Sequence, residues 1–169
     1  MANEPTLPAL AKAIATNFPE LTNRVVAVTE VEAFNQTSDS VKLPLAIVAL
    51  LSEKGTQRAD GGGNVNVEDD IIVQFMFTPE KYTNAEDRDT PFFAFYDYEA
   101  LRDKLLSLTS FWRSPRNGGL SYQSLELETD ESAVYVTFRF KLTEKLCVDP
   151  LTEASNFTVN VKTLPASLP

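Results

Sequence analysis

Histidine is absent from these 169 residues. Without an imidazole, no Ser-His-Asp or Cys-His nucleophile system can be built. Cysteine is nearly absent as well: Cys147 stands alone, so the chain forms no internal disulfide. One cysteine and no histidine also remove the usual zinc ligand sets. Catalysis would be left with carboxylates, or with an oxygen-ligated Mg²⁺ or Ca²⁺ ion. Cys147 sits in a strand-like, apolar stretch and is expected to be a small buried hydrophobe.

Positive charge is scarce. The chain carries 15 Lys and Arg against 24 Asp and Glu, a formal net charge of −9. Such a chain repels phosphate backbones and gains nothing from counterion release, so no nucleic-acid partner is expected. The densest basic stretch is only Arg113 and Arg116. Long apolar runs are missing too. None approaches the roughly 18 residues of a membrane span, and no basic segment followed by an apolar one opens the chain. The expectation is an intracellular protein without a membrane partner.

Apolar residues are not lacking: they make up 43% of the chain. At this length about two-thirds of the unfolded surface can be buried, so the core needs no covalent or metal staple.

Leu7, Leu10, Ile14 and Phe18 recur at helical spacing and predict a helix over 6–18, with Pro8 in its first turn and Pro19 at its exit. Residues 24–34 are valine-rich and read as a strand. The run Leu45-Ala46-Ile47-Val48-Ala49-Leu50-Leu51 reads as a strand buried on both faces, 45–53. Residues 54–67 hold four glycines and read as a mobile hairpin loop. Gly61-Gly62-Gly63 lacks the spacing of a phosphate loop and the Lys-Ser/Thr that follows one. A strand at 69–78 alternates Ile71, Val73, Phe75 and Phe77 with Ile72, Gln74 and Met76.

The polar segment 80–91 carries Asn84, Glu86, Asp87 and Asp89 without EF-hand order, and reads as a solvated loop. Asp69, Asp70, Asp87 and Asp89, the candidate carboxylates, fall in loops or at strand starts with no basic partner pattern. No catalytic residue, cofactor or metal is assigned, and the chain is read as non-enzymatic.

A second helix, 97–111, opens on Asp97 as N-cap. It presents Tyr98, Leu101, Leu105, Leu108 and Trp112 to the sheet, and leaves Arg102, Asp103 and Lys104 in water. Pro115 and Asn117-Gly118-Gly119 stop it. Strands at 120–128 and 134–142 follow, joined by the turn Thr129–Ser132; the second alternates most regularly in the chain. Residues 149–169 are polar and punctuated by Pro150, Pro165 and Pro169, with room for one short strand around Phe157.

The predicted fold is therefore α+β: a mostly antiparallel sheet of four to five strands joined by short turns or hairpin-like loops, two helices packed on it, and an extended C-terminal arm. The domain is placed at 1–148 and the arm at 149–169. Ile14, Val26, Ile47, Val73, Leu101, Leu105, Val136 and Phe138 are the expected core.

Element order and three local features carry a resemblance. A Pro-containing apolar strand, Leu43-Pro44-Leu45-Ala46-Ile47-Val48, precedes the glycine-rich loop. Phe95-Tyr96-Asp97-Tyr98-Glu99-Ala100-Leu101 opens the second helix. Phe111-Trp112-Arg113-Ser114-Pro115 leads through Gly118-Gly119-Leu120-Ser121-Tyr122 to a hairpin ending in Phe138-Arg139-Phe140. Across residues 5–146 the chain resembles the tail terminator proteins of long-tailed bacteriophages, of the lambda minor tail protein U type.

That resemblance implies a virion structural protein, made in the host cytoplasm and ending in the tail. It would form a ring, typically a hexamer, on the finished tail tube, stop polymerisation and offer a surface for head–tail joining. The implied partners are further copies of the chain, the tail tube protein, the head connector and, in contractile tails, the sheath. Flexible or basic positions (Arg58, Gly61, Gly62, Gly63, Arg113 and Arg116) and flanking aromatics (Phe92, Phe93 and Phe157) are the candidate contacts. Two other readings stand beside it: another head–tail connector or tail-completion protein, and an enzyme or small-ligand binder built on carboxylates.

Overall fold

The computed structural model describes residues 4–21, 24–28, 43–57, 63–78 and 96–147. Among these, helix α1 spans Thr6–Asn17 and α2 spans Tyr98–Phe111. The strands are β1 (Val25–Val28), β2 (Leu45–Gln57), β3 (Asn64–Phe77), β4 (Gly119–Thr129) and β5 (Val134–Cys147). They form one five-stranded mixed sheet in the order β1-β2-β3-β5-β4. The fold is α+β and the sheet mostly antiparallel, as the periodicities imply.

Each helix begins and ends for a local reason. α1 opens on Pro5, whose carbonyl accepts from Ala9 N at 3.1 Å, and Pro8 falls where no intrahelical donor is needed. At its other end Thr16 Oγ1 and Asn17 Nδ2 donate back to Lys12 O and Ala13 O, at 2.9 and 2.8 Å, before Pro19 halts the helix. In α2 the Asp97 carboxylate accepts from Ala100 N at 2.6 Å, an N-cap that the sequence predicts. Ser114, Pro115 and the left-handed Asn117 turn the chain into β4.

One face of the sheet carries both helices. Leu7, Leu10, Ile14 and Phe18 from α1 and Leu101 and Leu105 from α2 meet Val48, Ile71, Val73, Phe75, Val136, Phe138 and Phe140 in a single core. Phe75 lies at its centre, with ring centroids 5.3 Å from Phe18, 6.1 Å from Phe77 and 6.0 Å from Phe138. Such pairs add about 0.5–1.5 kcal/mol each beyond burial. On the opposite face a smaller cluster gathers Val28, Leu45, Ile47 and Ala49. Leu45–Ala49 of the apolar run of β2 are thus buried on both sides, as expected, whereas Leu50 is half-buried and Leu51 exposed.

Several expectations change. β1 pairs in parallel with β2, Val25 opposite Ala46. That departs from the expected antiparallel neighbours joined by a short hairpin, which only antiparallel strands allow. Val26 is 44% exposed rather than core. It points away from the helices on an edge strand, while Val25 and Ala27 face α1. Within the α2 stripe only Leu101 and Leu105 are fully buried; Tyr98, Leu108 and Trp112 are half-buried.

Lys104, expected in water, lies 4.8 Å from the Phe18 ring centroid and donates to Tyr96 Oη at 2.7 Å. Tyr96 in turn donates to Glu20 Oε1 at 2.7 Å, tying α2 to the turn after α1. Burial and its carboxylate partner hold the Tyr96 phenol above its usual range, against Lys104. Cys147 is exposed at the end of β5, its thiol 3.3 Å from Asn64 Oδ1. The alternation of β5 continues past the helix-covered area, so its last residues meet solvent.

No helix among the described residues is long and apolar enough to cross a membrane. Residues 29–34 of the first predicted strand, the acidic segment 84–89 and the arm 149–169 lie outside the described residues.

Candidate functional site

The largest departure from the sequence reading is also the most exposed feature. Residues 54–57 and 63–67, expected in a loop, mostly continue strands. β2 pairs with β3 out to Gln57 opposite Val65, and β3 with β5 out to Asn64 opposite Cys147. Weak apolar content hides these segments from a hydrophobic pattern: among their described residues only Val67 is buried and Val65 half-buried. Backbone pairing carries the sheet through them. The result is a three-stranded ribbon projecting past the core, with residues 51–56 of β2 exposed.

At the ribbon's base three carboxylates converge from three strands. A bulge at Leu51 shifts the register, so that Glu53 stands opposite Asp69 on the helix-bearing side. Asp69 pairs with Leu142, which sets Glu144 diagonally beside it. Asp69, expected at a strand start, is instead mid-strand, as is Asp70. Glu144 is buried, 3% exposed. Its carboxylate accepts from Thr6 Oγ1 at 3.3 Å and lies 3.6 Å from Arg116 Nη1.

Among the described residues the Oδ1 oxygen of Asp69 is buried and has no hydrogen-bond partner. Burial, then the charges of Glu53 and Glu144, and then a hydrogen bond with Glu53 raise the Asp69 carboxyl from 3.8 to about 6, with Arg116 opposing. Among the described residues no group of three or more His, Cys, Asp or Glu is placed to hold a metal ion.

The turn after α2 closes over this cluster. Ser114 is buried; its hydroxyl accepts from Gly118 N at 2.8 Å, and its N–H donates to Gly118 O at 2.9 Å. Arg113 and Arg116, both candidate contacts, come together in this turn, and both are exposed. Arg113 Nη1 donates to Trp112 O at 2.8 Å, and its backbone bridges Gly119. Arg116 is partly committed to Glu144, so its role includes holding the turn down. Gly63 is exposed at the start of β3, at the same end of the sheet. Arg58, Gly61, Gly62, Phe92, Phe93 and Phe157, with Asp87 and Asp89, lie outside the described residues.

Apolar exposure was not foreseen at the positions where it occurs. Phe111, the last residue of α2, is 85% exposed, and Leu51, Tyr122 and Leu127 are partly so. Helical phase was the available signal: Phe111 falls off the stripe through Leu101, Leu105 and Leu108. Both outer strands, β1 and β4, have an edge without a strand partner among the described residues. The arrangement offers two open edges, one projecting ribbon and isolated apolar side chains. These are surfaces suited to contact with other chains.

No protein-family model matches the chain, and a search of curated proteins returned no match.

Proposed function

We propose that the chain is a structural subunit of the phage tail-terminator type, assembling as a ring on the end of a tail tube. In that role it stops tube polymerisation and presents a surface for the head connector. One observation carries most weight alongside the resemblance in element order. Among the described residues the sheet holds its helices on one face and leaves two strand edges and a three-stranded ribbon open. A small wedge with open edges on both sides suits repeated head-to-tail contacts, and a ribbon beyond the core suits reaching an adjoining ring. The absence of histidine and the single, exposed cysteine favour an assembly role over nucleophilic catalysis.

Each copy carries a formal charge of −9, so ring closure brings like charges together. Salt screens that repulsion, with a Debye length of about 10 Å at 0.1 M. Assembly is therefore weaker at low ionic strength and is helped by the tube as template. Electron microscopy of the purified protein, alone and mixed with tail tubes, tests the reading. Closed rings, six-fold and seated on tube ends, are the expected result. Rings that bind connector and ignore tubes would reassign the chain to head–tail joining. A protein that stays monomeric at every salt concentration and ignores tubes would end the reading.

A further inference from the structure

We propose that the groove between α1 and β1 receives Phe111 of a second copy of this chain, forming a head-to-tail contact. The inference rests on the ring-forming reading and names the surfaces that would close the ring.

Among the described residues the groove is lined by Pro8, Ala11, Lys12 and Ala15 of α1 and by Val25 and Ala27 of β1, and has a volume of about 350 Å³. Three of these six side chains are single methyl groups, which leaves the helix standing off the edge strand. A cavity of about 150 Å³ is enough to take up benzene, so a phenyl ring has room. Lys12 is the one charged side chain in the lining, and among the described residues it has no ion pair. An ammonium beside an apolar groove is attracted to an aromatic face. The chain already uses this pairing internally, with Lys104 Nζ 4.8 Å from the centroid of Phe18.

Phe111 is the matching projection. It is 85% exposed, against 44% for Val26, the next of the large apolar side chains among the described residues. It ends α2, the helix that packs against β4, and Arg113 just beyond it bridges the first residue of β4. The groove borders β1, at the other edge of the same sheet. Four strand spacings separate the two edges, roughly 19 Å. Projection and groove lie on the helix-bearing side but at opposite edges. One copy therefore offers Phe111 to its neighbour on one side and its groove to the neighbour on the other. That is a heterologous contact, which closes into a ring when the rotation allows. The contact is apolar apart from Lys12, so it avoids the acidic surfaces that oppose assembly.

Two substitutions in the full chain separate the halves of the contact: Phe111→Asp removes the projection and Ala15→Trp fills the groove. Circular dichroism and thermal melting establish that each variant is folded; Ala15→Leu replaces Ala15→Trp if the larger side chain disturbs α1. Sedimentation velocity is run at a concentration where the unsubstituted protein assembles. Each variant alone is expected to sediment as a monomer. An equimolar mixture is expected to give a dimer and nothing larger, since one intact projection and one intact groove remain. Variants that assemble like the unsubstituted protein would overturn this contact and leave the ring reading standing, as would folded variants whose mixture yields no dimer. Unsubstituted protein that never assembles, with or without tail tubes, would overturn both.

Discussion

Gly118 lies so close over Glu144 that a Cβ at position 118 would stand 2.5 Å from Glu144 Cγ and 2.8 Å from the Thr143 carbonyl oxygen. Ser114 Oγ would be 3.0 Å away. The turn after α2 is therefore seated directly on a buried carboxylate, and only hydrogen fits between them. Gly118→Ala must push the turn off β5, at a cost of about 1–3 kcal/mol. Chemical denaturation measures the loss. An unchanged midpoint would show that the turn does not rest on Glu144.

Arg116 restrains the same turn from the other side, 3.6 Å from Glu144. Arg116→Glu replaces that partner with a like charge beside a buried carboxylate and is expected to lower stability by about 1–3 kcal/mol. Arg113, whose guanidinium among the described residues donates only to backbone carbonyls, is expected to tolerate Arg113→Glu with the fold nearly unchanged. Parallel urea titrations of the two variants make the comparison. Equal effects would contradict the separate roles.

Asp69 makes stability depend on pH in a definite direction. Its carboxyl is raised from 3.8 to about 6, so between these values the folded chain holds the proton more firmly than the unfolded chain. This contribution grows as pH falls from about 6 toward 4 and is lost as pH rises through about 6. Asp69→Asn keeps the neutral form at all pH. It is expected to raise the melting temperature at pH 7 and to flatten its change between pH 5 and 7. A variant less stable than the parent at pH 7 would refute the clash among the three carboxylates.

Asp130 acts in the opposite sense. The Ser132 hydroxyl, the backbone N–H groups of Ser132 and Ala133 and the Tyr135 hydroxyl lower its carboxyl from 3.8 to about 2. Its contribution is present above about pH 4 and is lost as pH falls through about 2. Asp130→Ala should make the acid limb of the stability profile shallower. An NMR titration places the carboxyl itself.

Leu105 is fully buried between α2 and the sheet. Leu105→Ala is expected to cost about 2–5 kcal/mol. Phe111→Ala on the same helix, at an exposed position, should change stability by less than about 0.5 kcal/mol. A similar loss from both would mean that α2 is rotated from the orientation described.

The legible parts of this fold were those in which one face of an element is buried. The stripe of α1, the alternation of β5 and the continuous run of β2 are each written by burial, and each lies where the pattern puts it. Asp97 was legible as a cap because the chemistry of an N-cap is local. The ribbon was not. Lys54, Gly55, Thr56, Asn64 and Asn66 have no buried face, and only pairing with the neighbouring strands makes them extended. The carboxylate cluster was equally hidden. Glu53, Asp69 and Glu144 are distant in sequence and meet only because a bulge and two strand registers align them.

By itself the sequence determined the class of fold, the identity of most core residues, and the exclusion of imidazole chemistry and of the usual zinc ligand sets. Those properties follow from residue types and short-range periodicity, which any window of the chain contains. Tertiary structure alone decided the parallel pairing of β1, the exposure of Val26 and Cys147, the half-buried seat of Lys104, and the placement of Phe111 and the α1–β1 groove at opposite edges. Each depends on which strand becomes an edge and where the helices stop covering the sheet. These are relations between distant segments, and local propensity carries no information about them.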